Sequence, residues 1–484
     1  MALQVFLQGK ILGTEEFILS PVPADAPEEQ VLLGRCRWVT LLSEVIPRAL
    51  LAELGLARVL LGSSGGGHFL LVLPEEVQAS AEDFLRAVSE DMEQLSGGRL
   101  RLIWGITENL GDWSVVRRRI VEEIARKRGA PLAGRSLALL EPFEEGDPQP
   151  AWYFARDMAV RLQDARLVGW SPEAPARIAI DSGKHTWPVS STPSAEAIPL
   201  ARHAAPQEEA GGPAAAATLA GRADGRKTWG VLRGDVDNLE IRLRRATTIE
   251  EHVQLSVMYK QFFAGELELL CSLPEYWRKA VILYTGGDDF ALYGSWDVLI
   301  PLARELQRVF HRFTEENLKD FPGPEGKTIT MAVSLAPETG ASALAVYEEA
   351  GRRLDAAKSA GKDCIWVMGR SLEWRQLALA SELHETMRQA ASVLPSPAPL
   401  FVELGAFYRR EGSSVATRAA EGQLDRPWRV HRALSRAFRD SRGREAQRLR
   451  SQLLNEIVSK AAGQRRLRPA GRVALEWTKL LTEV

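Results

Sequence analysis

Val281-Ile282-Leu283-Tyr284-Thr285-Gly286-Gly287-Asp288-Asp289-Phe290-Ala291-Leu292-Tyr293 is a pair of apolar runs around a Gly-Gly-Asp-Asp tip. Strand-forming residues on both sides of a glycine turn predict a β-hairpin. The glycine pair permits a tight turn and lets a large anion approach the backbone. Adjacent carboxylates repel, so Asp288 and Asp289 destabilise such a tip unless a divalent cation sits between them and a phosphate.

Upstream, Trp229-Gly230-Val231-Leu232-Arg233-Gly234-Asp235-Val236-Asp237-Asn238 reads as an apolar strand ending in Asp-Val-Asp. Alternation along a strand predicts that Asp235 and Asp237 face the same way. Set beside the hairpin, this strand end gathers several acidic side chains. Mg²⁺ is commonly held by one or two carboxylates, with water and substrate phosphate completing its octahedron. Either acidic pair alone also fits a solvated turn; both in strand context favour a metal site.

The surrounding pattern reads in order. A helix over about Ile249 to Cys271 precedes the hairpin, and one over Trp296 to Asn317 follows it, with Leu299, Leu302, Leu306, Val309 and Phe310 as its buried stripe. A strand over Lys327 to Leu335, an alanine-rich helix over Ala341 to Ala360 and a strand over Asp363 to Met368 complete the unit. The core order β-α-β-β-α-β is the ferredoxin-like arrangement of palm-type nucleotidyl transferases and cyclases, although a fold alone does not establish chemistry. Lys358 and Lys362 end the alanine-rich helix; they suit phosphate binding, or simply complement the helix dipole.

The first part of the chain repeats this layout. Strands over Leu3 to Leu7, Arg58 to Leu61, Phe69 to Leu73 and Arg99 to Ile106 alternate with helices over Arg37 to Leu54 and Ala79 to Leu95, and a further helix covers Asp112 to Arg128. Ser64-Gly65-Gly66-Gly67-His68-Phe69 falls on Thr285-Gly286-Gly287-Asp288-Asp289-Phe290. The glycines and the phenylalanine persist, and both carboxylates are lost. Gln8-Gly9-Lys10 stands where the later strand has Asp-Val-Asp. One copy therefore keeps metal ligands, and the other keeps a backbone that tolerates phosphate. His68 reads equally as a polar hairpin residue and as a base or ligand.

The expected class is α+β, with two ferredoxin-like palm (nucleotidyl cyclase/polymerase-like) domains plus a connector and a C-terminal helical bundle. Boundaries are expected at 1–132, 133–226, 227–370 and 371–484. A length of 484 residues fits about three domains. Ala204 to Arg226, rich in Ala, Gly, Pro and charge, reads as a mobile linker. From Ser371 the pattern is helical. Between Arg429 and Arg472 stand thirteen Arg or Lys against three Asp or Glu. That block fits RNA backbone, an acidic neighbouring subunit or a solvated basic face. Three scattered cysteines, Cys36, Cys271 and Cys364, with no Cys-x-x-Cys pair, argue for a reducing cytosol and no structural zinc. No signal sequence or membrane-length apolar run is evident, so a cytoplasmic location and no membrane partner are expected.

Taken in order, Ser64 to Phe69, Arg233-Gly234-Asp235-Val236-Asp237-Asn238-Leu239, Thr285 to Asp289, Ala357-Lys358-Ser359-Ala360-Gly361-Lys362 and Met368-Gly369-Arg370-Ser371-Leu372-Glu373-Trp374 resemble the large, Csm-type subunit of type III CRISPR effector complexes. The resemblance implies a nucleotidyltransferase that polymerises ATP into cyclic oligoadenylates when target RNA pairs with guide RNA, in a complex with other effector subunits. It implies Mg²⁺ or Mn²⁺ held by Asp235, Asp288 and Asp289 and the Val236 carbonyl, with Asp237 assisting. Ser63, Ser64, Gly65, Gly66, Gly67, Gly286, Gly287, Lys358 and Lys362 would cradle two ATP molecules. Many relatives begin with an HD nuclease domain; no His-Asp dipeptide occurs here, so no HD-type DNA cleavage is expected of this chain. Two other readings stand beside it: a stand-alone GGDEF-like nucleotide cyclase, against which the asymmetric repeat argues, and a catalytically silent ATP-binding scaffold.

Overall fold

The computed structural model describes residues 4–129, 149–174, 177–192, 194, 196–208, 211–410, 428–441, 443–461 and 464–482. Two sheets share one plan. In the first, β1 (Gln4–Leu12), β2 (Leu61–Gly65), β3 (His68–Pro74) and β4 (Arg101–Glu108) lie in the order β2-β3-β1-β4. A small connector sheet follows, built from β5 (Leu167–Trp170), β6 (Ile178–Ile180), β7 (His185–Ser190) and β8 (Ile198–Pro199) in the order β6-β5-β7-β8. The second large sheet comprises β9 (Trp229–Val236), β10 (Ala280–Thr285), β11 (Asp289–Ser295), β12 (Ile329–Leu335), β13 (Cys364–Val367) and β14 (Arg370–Glu373). Its order, β10-β11-β9-β12-β13-β14, repeats the first and adds two strands. The sequence pattern runs the last strand to Met368 and starts the helical region at Ser371. Met368 instead takes a left-handed conformation, φ 49°, and the chain turns back as β14.

The duplication holds at the level of single contacts. Gly9 lies opposite Phe69, and Gly234 opposite Phe290. In both pairs the ring covers the glycine so closely that a Cβ would fall 2.2 Å and 2.3 Å from it. Any side chain there would displace a core aromatic, which is why both strands carry glycine. The register slips between Leu61 and Ser63 in one hairpin and between Ile282 and Tyr284 in the other. The Ile11 amide donates to the Gly67 carbonyl, as the Val236 amide does to that of Asp288.

One face of the second sheet buries Leu232, Phe290, Leu292 and Met331 against the Ile249–Cys271 and Trp296–Asn317 helices. Its other face, with Val231, Ala291 and Tyr293, shares a core with the first palm and with the Glu28–Glu53 and Ala343–Ala360 helices. The Glu28–Glu53 helix begins well before the Arg37 expected from the sequence. It is buried on nearly every side from Val31 to Leu51, so it has no polar stripe by which a pattern search would find its start.

The mobile linker expected over Ala204 to Arg226 is, where described, a packed strap. The Ala205 amide donates to the Ala280 carbonyl on the edge of β10, and the Ile282 amide donates to His203. Tyr293 Oη donates to the Ala214 carbonyl and Ser295 Oγ to that of Leu219. Small side chains let this segment lie flat on the sheet, and residues such as Ala205, Ala214 and Leu219 are fully buried. Beyond Glu373 come helices Trp374–Val393, Ala398–Arg410, Trp428–Ala437, Arg444–Ile457 and Ala470–Thr482. The basic block is not continuously helical: a hairpin, Val458–Ala461 with Gln464–Leu467, interrupts it.

A buried ionic network ties the palms together. Glu44, 1% exposed on the Glu28–Glu53 helix, meets Arg48 Nη1 at 2.6 Å and Lys260 Nζ of the second palm at 2.9 Å. Burial alone favours the neutral acid, but Lys260 and Arg48 outweigh it and hold the Glu44 carboxyl down at about 2. An unfolded glutamate titrates near ~4.3. As pH falls the unfolded chain is protonated first, so this stabilisation is full above about pH 4.5 and is lost towards about pH 2. Glu44→Gln leaves two cations without a counterion and should cost about 3 to 5 kcal/mol at neutral pH. Denaturant melts should show the gap to wild type closing as the pH drops through that window. A gap of constant size would mean that the pair is not ionised.

Candidate active site

The hairpin and the end of β9 meet where the sequence places them. Asp289 lies directly opposite Asp235, and Asp288 is bonded through its carbonyl to the Val236 amide. Gly286 is required here by contact rather than by turn geometry: a Cβ on it would fall 1.9 Å from Asp289 Oδ1. A Cβ on Gly287 would meet nothing within 4 Å. The tips of the two hairpins abut, since a Cβ on Gly66 would lie 3.3 Å from the Gly287 nitrogen. In the first hairpin Gly65, Gly66 and Gly67 have φ of 118°, 58° and 74°, conformations that favour glycine.

Three carboxylates are crowded and poorly compensated. Burial, then the charges of Asp289 and Asp235, pushes Asp288 up to about 8. Burial likewise pushes Asp235 up to about 6, although Lys358 Nζ lies 2.7 Å from its Oδ2 and opposes the shift. Asp289 is raised by burial, while the Tyr284 hydroxyl, donating to its Oδ2 at 3.0 Å, pulls the other way. Such a group of acids holds protons near neutrality unless another cation replaces them.

Asp237 adds its charge to the upward shift of Asp235, but its oxygens turn away from the group rather than alongside Asp235 as the Asp-Val-Asp alternation predicts. β9 ends at Val236, and the Asp237 amide turns to the Thr328 carbonyl. Its carboxylate, 2% exposed, accepts from Thr328 Oγ1 at 2.8 Å, Thr330 Oγ1 at 2.7 Å and the Asp363 amide at 2.9 Å. That is a structural clamp between β9, β12 and the loop before β13. Lys362, with φ 64° in that loop, donates to Asn238 Oδ1. Of the lysines assigned to phosphate, Lys358 thus bonds Asp235 and Lys362 bonds Asn238. Ser64 Oγ, assigned to the nucleotide, instead donates to Glu44 and accepts from Lys260; Ser63 is buried.

Among the described residues no three Asp, Glu, His or Cys side chains converge closely enough to hold an ion by themselves. The donor set nonetheless fits a hard divalent cation: two half-buried carboxylates, Asp235 and Asp288, both pushed upwards, with Asp289 and the Val236 carbonyl beside them and room for phosphate and water at Gly287. Sequence reading missed Tyr284, Thr328, Thr330, Glu44 and Lys260. The two threonines carry a faint signal, alternating at the start of a strand beside an acidic loop. Lys260 carries another, a lone cation between Tyr259 and Phe262 on an otherwise apolar helix face.

Residues 228–366 match the family described as Cas10/Cmr2, second palm domain, and residues 4–126 match Csm1 subunit domain B. The chain belongs to the Cas10/Csm1 family. This Cas10/Csm1 chain is 24% identical over 466 residues to the CRISPR system single-strand-specific deoxyribonuclease Cas10/Csm1 (subtype III-A) of Mycobacterium tuberculosis, covering 79% of the chain and 56% of that protein. To the protein of the same description from Thermococcus onnurineus it is 27% identical over 176 residues, 33% of the chain and 21% of the relative. It therefore spans little more than half the length of the first of these relatives. In fold it matches the Csm1-Csm4 subcomplex of the type III-A CRISPR-Csm interference complex with a TM-score of 0.70 at 16% identity, over 99% of the chain and 70% of its counterpart. The apo Csm1-Csm4 cassette gives 0.68 at 16% identity, over 99% and 70%.

Proposed function

We propose that this Cas10/Csm1 chain joins ATP into cyclic oligoadenylates within an RNA-guided type III effector, with guide and target RNA and a Csm4-like subunit among its partners. The observation that carries the reading is the crowded Asp235–Asp288–Asp289 group, in direct ionic contact among the described residues with Lys358 alone, at the contact of two glycine hairpins. The Csm1-Csm4 cassettes that share this fold have been crystallised with one ATP, with pppApA and with cA4, which supports adenylate chemistry at such a site.

In this reading the 3′-hydroxyl oxygen of one ATP attacks the α-phosphorus of another and pyrophosphate leaves. Asp235, Asp288, Asp289 and the Val236 carbonyl would hold Mg²⁺ or Mn²⁺, which when bound would supply Lewis-acid stabilisation of the α-phosphate and lower the pKa of the attacking hydroxyl. The chain's own part is placement. Gly286 and Gly287 admit phosphate to the backbone, and the abutting tips set the two nucleotides against each other. Lys358 exchanges its bond to Asp235 for phosphate oxygens, and Lys362 steadies Asn238 at the edge of the site. Tyr284 fixes the Asp289 carboxylate.

Purified complex incubated with labelled ATP, Mg²⁺ or Mn²⁺ and matched target RNA tests this. Cyclic adenylates that require both target and complex are expected. Target-independent product from the lone chain would indicate a stand-alone cyclase, and no product under any condition a scaffold.

A further inference from the structure

Beside the acidic group lies a cation that the proposed reaction does not use. Arg233 stands two residues before Asp235 on β9, so both side chains leave the same face of the sheet. Across the strands Tyr284, Ala291, Arg233 and Ala332 form one row, and Asp289, Asp235 and Thr330 form the next. Arg233 is therefore the diagonal neighbour of Asp289, a separation of about 7 to 8 Å that a long side chain spans. The two alanines leave room for it.

The fold is shaped around this guanidinium. It lies 4.4 Å from the centroid of the Tyr347 ring. Gly351, on the same Ala343–Ala360 helix, leaves a notch for it, since a Cβ there would fall 2.3 Å from Nη1. Its one ion pair among the described residues crosses to the first palm, where Glu15 of the short Thr14–Ile18 helix lies 3.2 Å away. The Arg233 side chain is 13% exposed and that of Glu15 58%, so water screens the partner far more than the cation. Arg233 Nε is buried and has no hydrogen-bond partner among the described residues. Burial disfavours the charge, and Tyr284, Tyr347 and Glu15 outweigh it. Against the burial that raises Asp289, Tyr284 and then Arg233 pull the other way. Lys358 is the movable cation of the group, partly exposed and exchanged for phosphate in the proposed reaction. Arg233, set between Tyr347 and Gly351, is the fixed one.

We infer that Arg233 is a fixed cation that keeps the divalent ion of the second palm exchangeable, and that Glu15 of the first palm sets its strength. This rests on the proposed function and adds a control to it: the first palm acts on the ion through a largely buried charge rather than through a ligand. A guanidinium has no lone pair to offer a metal. It repels the ion, and a divalent ion feels that field twice as strongly as a proton competing for the same carboxylates. The site then retains the ion only while nucleotide phosphate shares it.

Titration of the metal-free full chain with Mn²⁺, the free ion being read by electron paramagnetic resonance, tests the inference. Arg233→Met should bind Mn²⁺ roughly fivefold more tightly than wild type, or better. Arg233→Lys, which keeps the charge, should stay within about twofold of wild type. Glu15→Gln removes a negative charge from the far side of Arg233 and should weaken binding by about twofold to threefold. The two changes move affinity in opposite directions, which a loss of packing would not do. Should Arg233→Met fail to fold, Glu15→Gln decides alone, because Glu15 is more than half exposed. Unchanged or weaker Mn²⁺ binding in Arg233→Met, equal tightening in Arg233→Lys, or unchanged or tighter binding in Glu15→Gln would each overturn the inference. Mn²⁺ binding that Asp288→Ala leaves untouched would overturn the proposed function instead.

Discussion

Asp288→Ala with Asp289→Ala should abolish oligoadenylate synthesis, by roughly a thousandfold or more, while the chain keeps its fold and its place in the complex. The loss follows from removing the carboxylates whose charge the site is built to concentrate; several kcal/mol of transition-state stabilisation corresponds to that factor. The unchanged fold follows from the same crowding. Asp288 is raised by burial and by the charges of Asp289 and Asp235, and Asp289 by burial, so as ions they oppose folding. Their removal relieves that cost, offset by the Tyr284 hydroxyl losing its acceptor. The melting temperature of the metal-free variant should lie at or above that of wild type. A variant that no longer assembles, or that melts far lower, would mark the hairpin as structural and separate it from catalysis.

Asp237→Ala should do the opposite. Three donors close on this carboxylate, and all three are left without an acceptor when it is removed. A buried donor without a partner costs about 1 to 3 kcal/mol, so a total of roughly 3 kcal/mol or more is expected in urea melts. The Asp363 amide belongs to a loop in which Lys362 and Asp363 both have positive φ, 64° and 47°, a conformation that needs outside support. Synthesis should fall as well, because that loop carries Lys362, but the fall should follow the loss of structure. An Asp237→Ala chain as stable as wild type would place this carboxylate with the other three. Asp237→Asn, which keeps an acceptor for one side of the clamp, should recover part of the stability.

The contrast explains what was readable in the chain. Both hairpins, the Asp235 strand and the internal duplication were legible, because each depends on local alternation and on turn residues that no neighbour needs to complete. Even the odd positions carried over: Gly9 with Phe69 repeats Gly234 with Phe290. The clamp into which the Asp237 carboxylate turns was not legible. Which carboxylate of Asp-Val-Asp stays in the strand is decided by where β12 starts and by two threonine hydroxyls ninety residues away in sequence. The strap over Ala205 to Leu219 has the composition of a linker and is ordered only by β10, Tyr293 and Ser295. Glu44 and Lys260 lie far apart in the chain and have no shared local pattern. What the sequence conceals in each case is a partner supplied by a different part of the fold.

The most direct test is a crystal of the chain soaked with Mn²⁺ and a non-hydrolysable ATP analogue, read by anomalous scattering. The account predicts a manganese peak between the Asp235 and Asp288 side chains, with phosphate at Gly287 and Lys358 moved off Asp235. Nucleotide bound with no peak there, or with those two carboxylates turned apart, would contradict it.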